Sequence, residues 1–277
     1  MLKTLLGSAL ILTLLSFAPL SGSIQEPAPN PVAPMGSVLM LGDMSAFETT
    51  MVTALGSSTV DHPNVIILPH ASDAEDRGQA DKKAFEDIGL TDVYILEDLS
   101  TEGAKDLLGL ASVIWFSDGS PKKLMQELAG ANLASQMSRL NDRGAIIGAA
   151  GQVAGALGIG YLEGKLRGEI MTSLAVMPNR GMGLWNGFVV PGADADNRLI
   201  LGLTACLDQP NRPLLGLCPG SSVQVNGDDM SFWGTGPSIF IDARKSKKSP
   251  IDAKKPLGIR NVTLHSFTEG DTFTWFQ

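Results

Sequence analysis

Short runs of valine, isoleucine and leucine recur through the first half of the chain, at 37–41, 64–68, 92–96, 112–116 and 145–148. None alternates apolar with polar positions, which is how parallel strands covered on both faces read. The stretches between them, 46–55, 79–88, 101–108, 124–141 and 152–158, carry helical patterning. Strand and helix in alternation predict an α/β fold: a doubly wound, mostly parallel sheet with helices on both faces.

The pattern changes after residue 160. Residues 160–211 are glycine-rich, apart from an amphipathic stretch at 198–206 in which Leu199, Leu203 and Cys206 share a face. From 214 onward the apolar runs are short and close together, at 214–217, 222–225, 230–233, 238–242 and 261–266. Asn226-Gly227 between two of them is a hairpin signal, so a C-terminal antiparallel β extension of the sheet is expected. At the other end, Lys3 precedes an apolar stretch at 9–20 and the small residues Ser21, Gly22 and Ser23, the layout of a cleavable signal peptide over 1–23. That stretch is short and interrupted by Pro19, so no membrane span is expected. A proline-rich spacer at 24–36 and a single domain at 37–277 complete the expected organisation. The signal peptide implies a secreted or periplasmic protein.

With 44% hydrophobic residues in a chain of 277, one sizeable core can be buried. The formal charge of −8 argues against nucleic acid as a partner, because no basic stripe is available to displace counterions from phosphates. The basic residues at 244–248 are broken by a serine and read as a solvated loop. Cys206 and Cys218 are the only cysteines. After export they would keep a disulfide, and two buried thiols fit as well, so both readings stay open. No histidine lies near either cysteine, and Met35, Met40, Met44 and Met51 follow no ligand spacing, so no metal or other cofactor is expected.

In an open parallel sheet, ligands sit outside the carboxyl ends of the strands. That rule selects Asp43 after the first run, His70 and Ser72 after the second, and Ser117, Asp118 and Gly119 after the fourth. After the fifth it selects Gly148, Ala149, Ala150, Gly151 and Gln152. This last group is a strand, turn and helix of small residues, the geometry of a nucleophile elbow. It could cradle an anion at a helix N-terminus, although small residues make a tight turn without any ligand. Ser72, Asp73 and Asp118 are also the residue types that cap helices and close turns. Trp185, after a glycine-rich loop, is a candidate pocket lining.

Taken in order, these motifs resemble those of the cyanophycinase and dipeptidase E-like serine peptidases. The strand and glycine at 37–42 and Val65-Ile66-Ile67-Leu68-Pro69-His70-Ala71-Ser72 each resemble a family element. So do Gly181-Met182-Gly183-Leu184, Arg198-Leu199, Gly216-Leu217 and the 262–273 segment, and the likeness runs through most of the chain. At the elbow the family carries Gly-Thr-Ser-Ala-Gly-Ala, preceded one helix earlier by a strand ending in Gly-Gly-Asp or Gly-Gly-Asn. Here Gly148-Ala149-Ala150-Gly151 and Ser117-Asp118-Gly119-Ser120 stand in those places. The resemblance implies a class I glutamine amidotransferase-like fold and serine-peptidase chemistry on Asp-containing or β-aspartyl peptides.

The departures bear on that chemistry. Two registers are open, placing Ala149 or Ala150 at the serine, and no Ser or Cys occurs between 139 and 172. The passage 189–198, where the family has its histidine, contains none, and the acidic pair of the family's Gly-Ile-Asp-Glu is replaced by Cys218 and Pro219. Members of a catalytic set act as a unit, so losing several implies losing the hydrolysis. The expectation is an exported homologue that keeps the crevice for a peptide or small acidic ligand. A homodimer, or a role as envelope scaffold or partner subunit, is a further option. The alternative is a hydrolase with a relocated nucleophile, Ser117 or Ser72 with His70.

Overall fold

The computed structural model describes residues 36–275, except 59, 75, 77, 163–177, 196 and 250–257, all within the unit Ala33–Gln277. The expected signal peptide and all but the last residue of the spacer lie outside the described residues. The five apolar runs of the first half form β1 (Val38–Leu41), β2 (Val65–Leu68), β3 (Val93–Ile95), β4 (Val113–Phe116) and β5 (Ile146–Ala150). Within the glycine-rich passage lie β6 (Gly158–Tyr161), β7 (Asn179–Arg180) and β8 (Trp185–Pro191). The later strands are β9 (Leu214–Leu217), β10 (Ser221–Asn226), β11 (Asp229–Gly234) and β12 (Ser238–Asp242). A short pair, β13 (Lys247–Lys248) and β14 (Ile259–Arg260), precedes β15 (Thr263–Phe267) and β16 (Thr272–Thr274).

Among the described residues, the first sheet has the order β16-β11-β10-β1-β5-β4-β2-β3. The five N-terminal strands pair in parallel, while β10, β11 and β16 add an antiparallel flank beside β1. The fold is thus the expected doubly wound, mostly parallel α/β sheet with an antiparallel extension. Asn226-Gly227 does turn β10 into β11: Asn226 pairs with Asp229, and Gly227 takes a φ of 62°.

The second half differs from the expectation in one respect. Instead of extending the first sheet, β9, β12 and β15 join β8, β6 and β7 in another, of order β15-β12-β9-β8-β6-β7. Gly158 and Gly160 interrupt β6, and Gly187 leaves β8 only the short run Phe188-Val189-Val190. Close approach requires glycine here: a Cβ on Gly158 would lie 2.5 Å from the Gly187 carbonyl oxygen.

Helices α1 (Phe47–Gly56) and α2 (Gln79–Asp87) cover one face of the first sheet with Leu39, Leu41 and Ile67. Phe47, Phe85 and Trp115 meet edge to face there, their ring centroids 4.8 to 5.7 Å apart. The other face carries α3 (Glu102–Gly109), α4 (Pro121–Gly130) and α5 (Ala134–Asp142). The single helix expected at 124–141 is broken because Asn132 adopts a φ of 57°, a left-handed conformation that ends α4. The expected amphipathic stretch is α6 (Arg198–Asp208), and the helix expected at 152–158 is a 3₁₀ helix, Gly151–Leu157. Val153 and Leu157 of that helix share one apolar cluster with Phe116 and Leu128 on the first sheet's side and Val189, Leu215 and Phe240 of the second sheet.

Candidate active-site crevice

Successive residues of a strand face opposite sides. Ala149 of β5 accordingly joins the cluster that contains Leu128, and Ala150 the one that contains Trp115. Both are buried. The chain turns only at the next residue: Gly151 has a φ of 62°, in the region where a Cβ is strained. A nucleophile elbow presents its side chain from that sharp strand-to-helix turn. The sharp turn therefore falls at Gly151, one residue beyond Ala150 and two beyond Ala149, the positions of the two registers open to the sequence. Gly148 is fixed by packing, since a Cβ there would lie 2.6 Å from the Trp115 ring.

Beside the elbow, β4 ends and leads into Ser117, Asp118, Gly119 and Ser120. Asp118 is exposed, and its Oδ1 accepts from the N–H groups of Gly119 and Gln152, each at 2.8 Å. A Cβ on Gly151 would come within 2.5 Å of the same Oδ1. The β4 loop cannot withdraw freely, because Gly119 packs on the Ala71 carbonyl and Ser120 donates to that oxygen at 2.9 Å. Asp118 thus caps the 3₁₀ helix from a neighbouring strand end, and Ser120 caps α4 by accepting from Lys123 N.

The other expected site residues are dispersed. Asp43 accepts from Ser45 N at 2.9 Å and Gly220 N at 3.2 Å. Burial pushes its carboxyl up, but the donors from Ser45 and Gly220 together hold it below the ordinary value. Ser72 Oγ accepts from Ala74 N at 3.1 Å, the turn-closing role. His70 is buried, with Nε2 at 3.1 Å from the Glu97 carbonyl, and lines a 410 Å³ cavity with Glu97, Ser100, Lys105 and Glu127. Ser117 follows the opposite parity along β4 from His70 along β2 and is also buried; among the described residues its Oγ makes no hydrogen bond of full geometry, to His70 or to any other group. Trp185 is 4% exposed and packs in the apolar core.

Cys206 and Cys218 stand apart as two buried free thiols in the structure. Cys206 Sγ donates to the Arg212 carbonyl at 2.9 Å, and burial pushes its thiol up to about 12. Burial also raises the Cys218 thiol.

Asp81 of α2 was not singled out by the sequence. It is 8% exposed, and burial raises its carboxyl, opposed by Ser117 Oγ and Trp115 Nε1, while nearby Asp118 adds to the rise. Those two donors approach the carboxyl without reaching hydrogen-bond geometry. The available signal was its place four residues before buried Phe85, on the same helix face. Among the described residues, no group of three His, Cys, Asp or Glu is placed to hold a metal ion, and no helix is long and apolar enough to cross a membrane.

No family model matches the sequence, and no curated protein matches it. Solved structures do. A peptidase from an acI-B1 Actinobacterium is 18% identical with a TM-score of 0.62, covering 88% of this chain and 98% of that one. A candidate Peptidase E from Listeria monocytogenes EGD-e is 16% identical with a TM-score of 0.55, covering 73% of this chain and all of that one. At such identities the likeness is one of architecture, and it establishes that this chain has a peptidase E-like fold.

Proposed function

We propose that this chain is an exported peptidase-fold homologue that no longer hydrolyses peptides and acts by binding a peptide or small acidic ligand at the crevice. The observation that carries this reading is the elbow: the turn that would present a nucleophile is Gly151, which has no side chain to offer. The neighbouring hydroxyls do not replace it. Ser117 Oγ is buried and Ser72 Oγ is engaged in its own turn. Without a nucleophile and an adjacent base, the acyl-transfer step has no first partner.

Fluorophosphonate labelling of the full chain tests the reading beside an active cyanophycinase-type control. No label and no turnover of β-aspartyl-arginine are expected. A label mapped to Ser72 or Ser117 would replace this reading with a relocated nucleophile. N-terminal sequencing of the protein recovered from its host tests export, with a start near residue 24 expected.

A further inference from the structure

Acyl transfer needs a seat for the developing oxyanion, built from the N–H that follows the elbow residue and another from a neighbouring loop. Here those groups are Gln152 N–H, directly after Gly151, and Gly119 N–H, in the loop after β4. Both already donate to one oxygen of Asp118, at 2.8 Å. A carboxylate held by two backbone N–H groups makes charge-assisted hydrogen bonds, stronger than those a neutral acyl oxygen would offer in exchange. The same carboxylate fills the space beside Gly151, where an added Cβ would lie 2.5 Å from Oδ1.

We propose that Asp118 closes the crevice from within, its carboxylate occupying both the amide pair that would receive an acyl oxygen and the volume that a nucleophile side chain at 151 would need. A side chain at 151 would have to turn the Asp118 carboxylate out of this position, at the cost of its two backbone hydrogen bonds. The fixed loop keeps the arrangement in place, because Gly119 is packed on Ala71 and Ser120 is bonded to it. This inference rests on the non-hydrolysing reading above and adds a cause to it: the seat is shut as well as the nucleophile missing.

A double-mutant cycle on the full chain, with Gly151→Ala, Asp118→Ala and the pair, is the test. The backbone strain of alanine at 151 is common to both backgrounds and cancels, leaving only the contact with the carboxylate. The urea midpoint lost to Gly151→Ala should be roughly halved when Asp118 is already alanine. Equal losses in the two backgrounds would overturn the proposal. If Gly151→Ala alone fails to fold, its recovery in the Asp118→Ala background is the same positive result. Amide exchange gives a second measure: Asp118→Ala should speed exchange at Gly119 and Gln152 together, and unchanged rates would refute the shared hydrogen bonds. The two readings fail separately, since fluorophosphonate labelling of the wild type sinks non-hydrolysis while additivity in the cycle sinks only the closure.

Discussion

Asp81 is a carboxyl placed on the buried side of a helix, and its burial raises it above the ordinary value of 3.8. A carboxyl raised on folding holds its proton more tightly in the native state, so its contribution is most favourable below the unfolded value and declines as pH rises through the folded one. Asp81→Asn keeps the shape and removes the charge. It should raise stability at about pH 7 and flatten the pH dependence down to about pH 4, read by urea unfolding at both; unchanged slopes would show that Asp81 is not the source. Asp43 acts with the opposite sign, contributing stability above its unfolded value that is lost as pH falls through its lowered one. The cysteines give another check at this scale. Thiolate is the reactive form, and burial keeps both thiols protonated. Ellman's reagent should find neither in the native protein and both after denaturation without reductant; none after denaturation would mean a disulfide.

Among the elements, the break between α4 and α5 depends on one residue. Asn132 is exposed and left-handed, so Asn132→Gly should be tolerated while Asn132→Val should cost about 1–2 kcal/mol in thermal or urea unfolding. Equal stability of the two variants would mean the turn is not strained. This break illustrates what the sequence conceals. The five N-terminal strands were legible because each is a continuous apolar run between helical stretches, whereas 124–141 is patterned as one helix and only the φ of Asn132 divides it. Strands β6 and β8 were illegible for another reason: their glycines serve backbone contacts, which leave no periodicity to read. The turn after β5 was the hardest to place. Ala149, Ala150 and Gly151 are all small, and the turning residue is recognised by its dihedral angle and not by its side chain.

For the whole molecule, the apolar cluster shared by the two sheets predicts that they open together. Native-state amide exchange should give the same opening free energy in β5 and β8, and a lower value in β8 would make the second sheet a separate unit. The architecture as a whole was readable from the alternation in the first half, while the separate second sheet was not, since β9 pairs with β12 across the intervening β10–β11 hairpin, which joins β1 of the first sheet instead. The contact between Asp118 and Gly151 also limits what the chain can carry at that turn. A side chain placed at position 151 would meet a carboxylate already there, so it is accommodated only once the Asp118 carboxylate has turned out of its two backbone hydrogen bonds or been replaced. Either change gives up the two hydrogen bonds that cap the 3₁₀ helix, so positions 118 and 151 are coupled and a substitution at one is felt at the other.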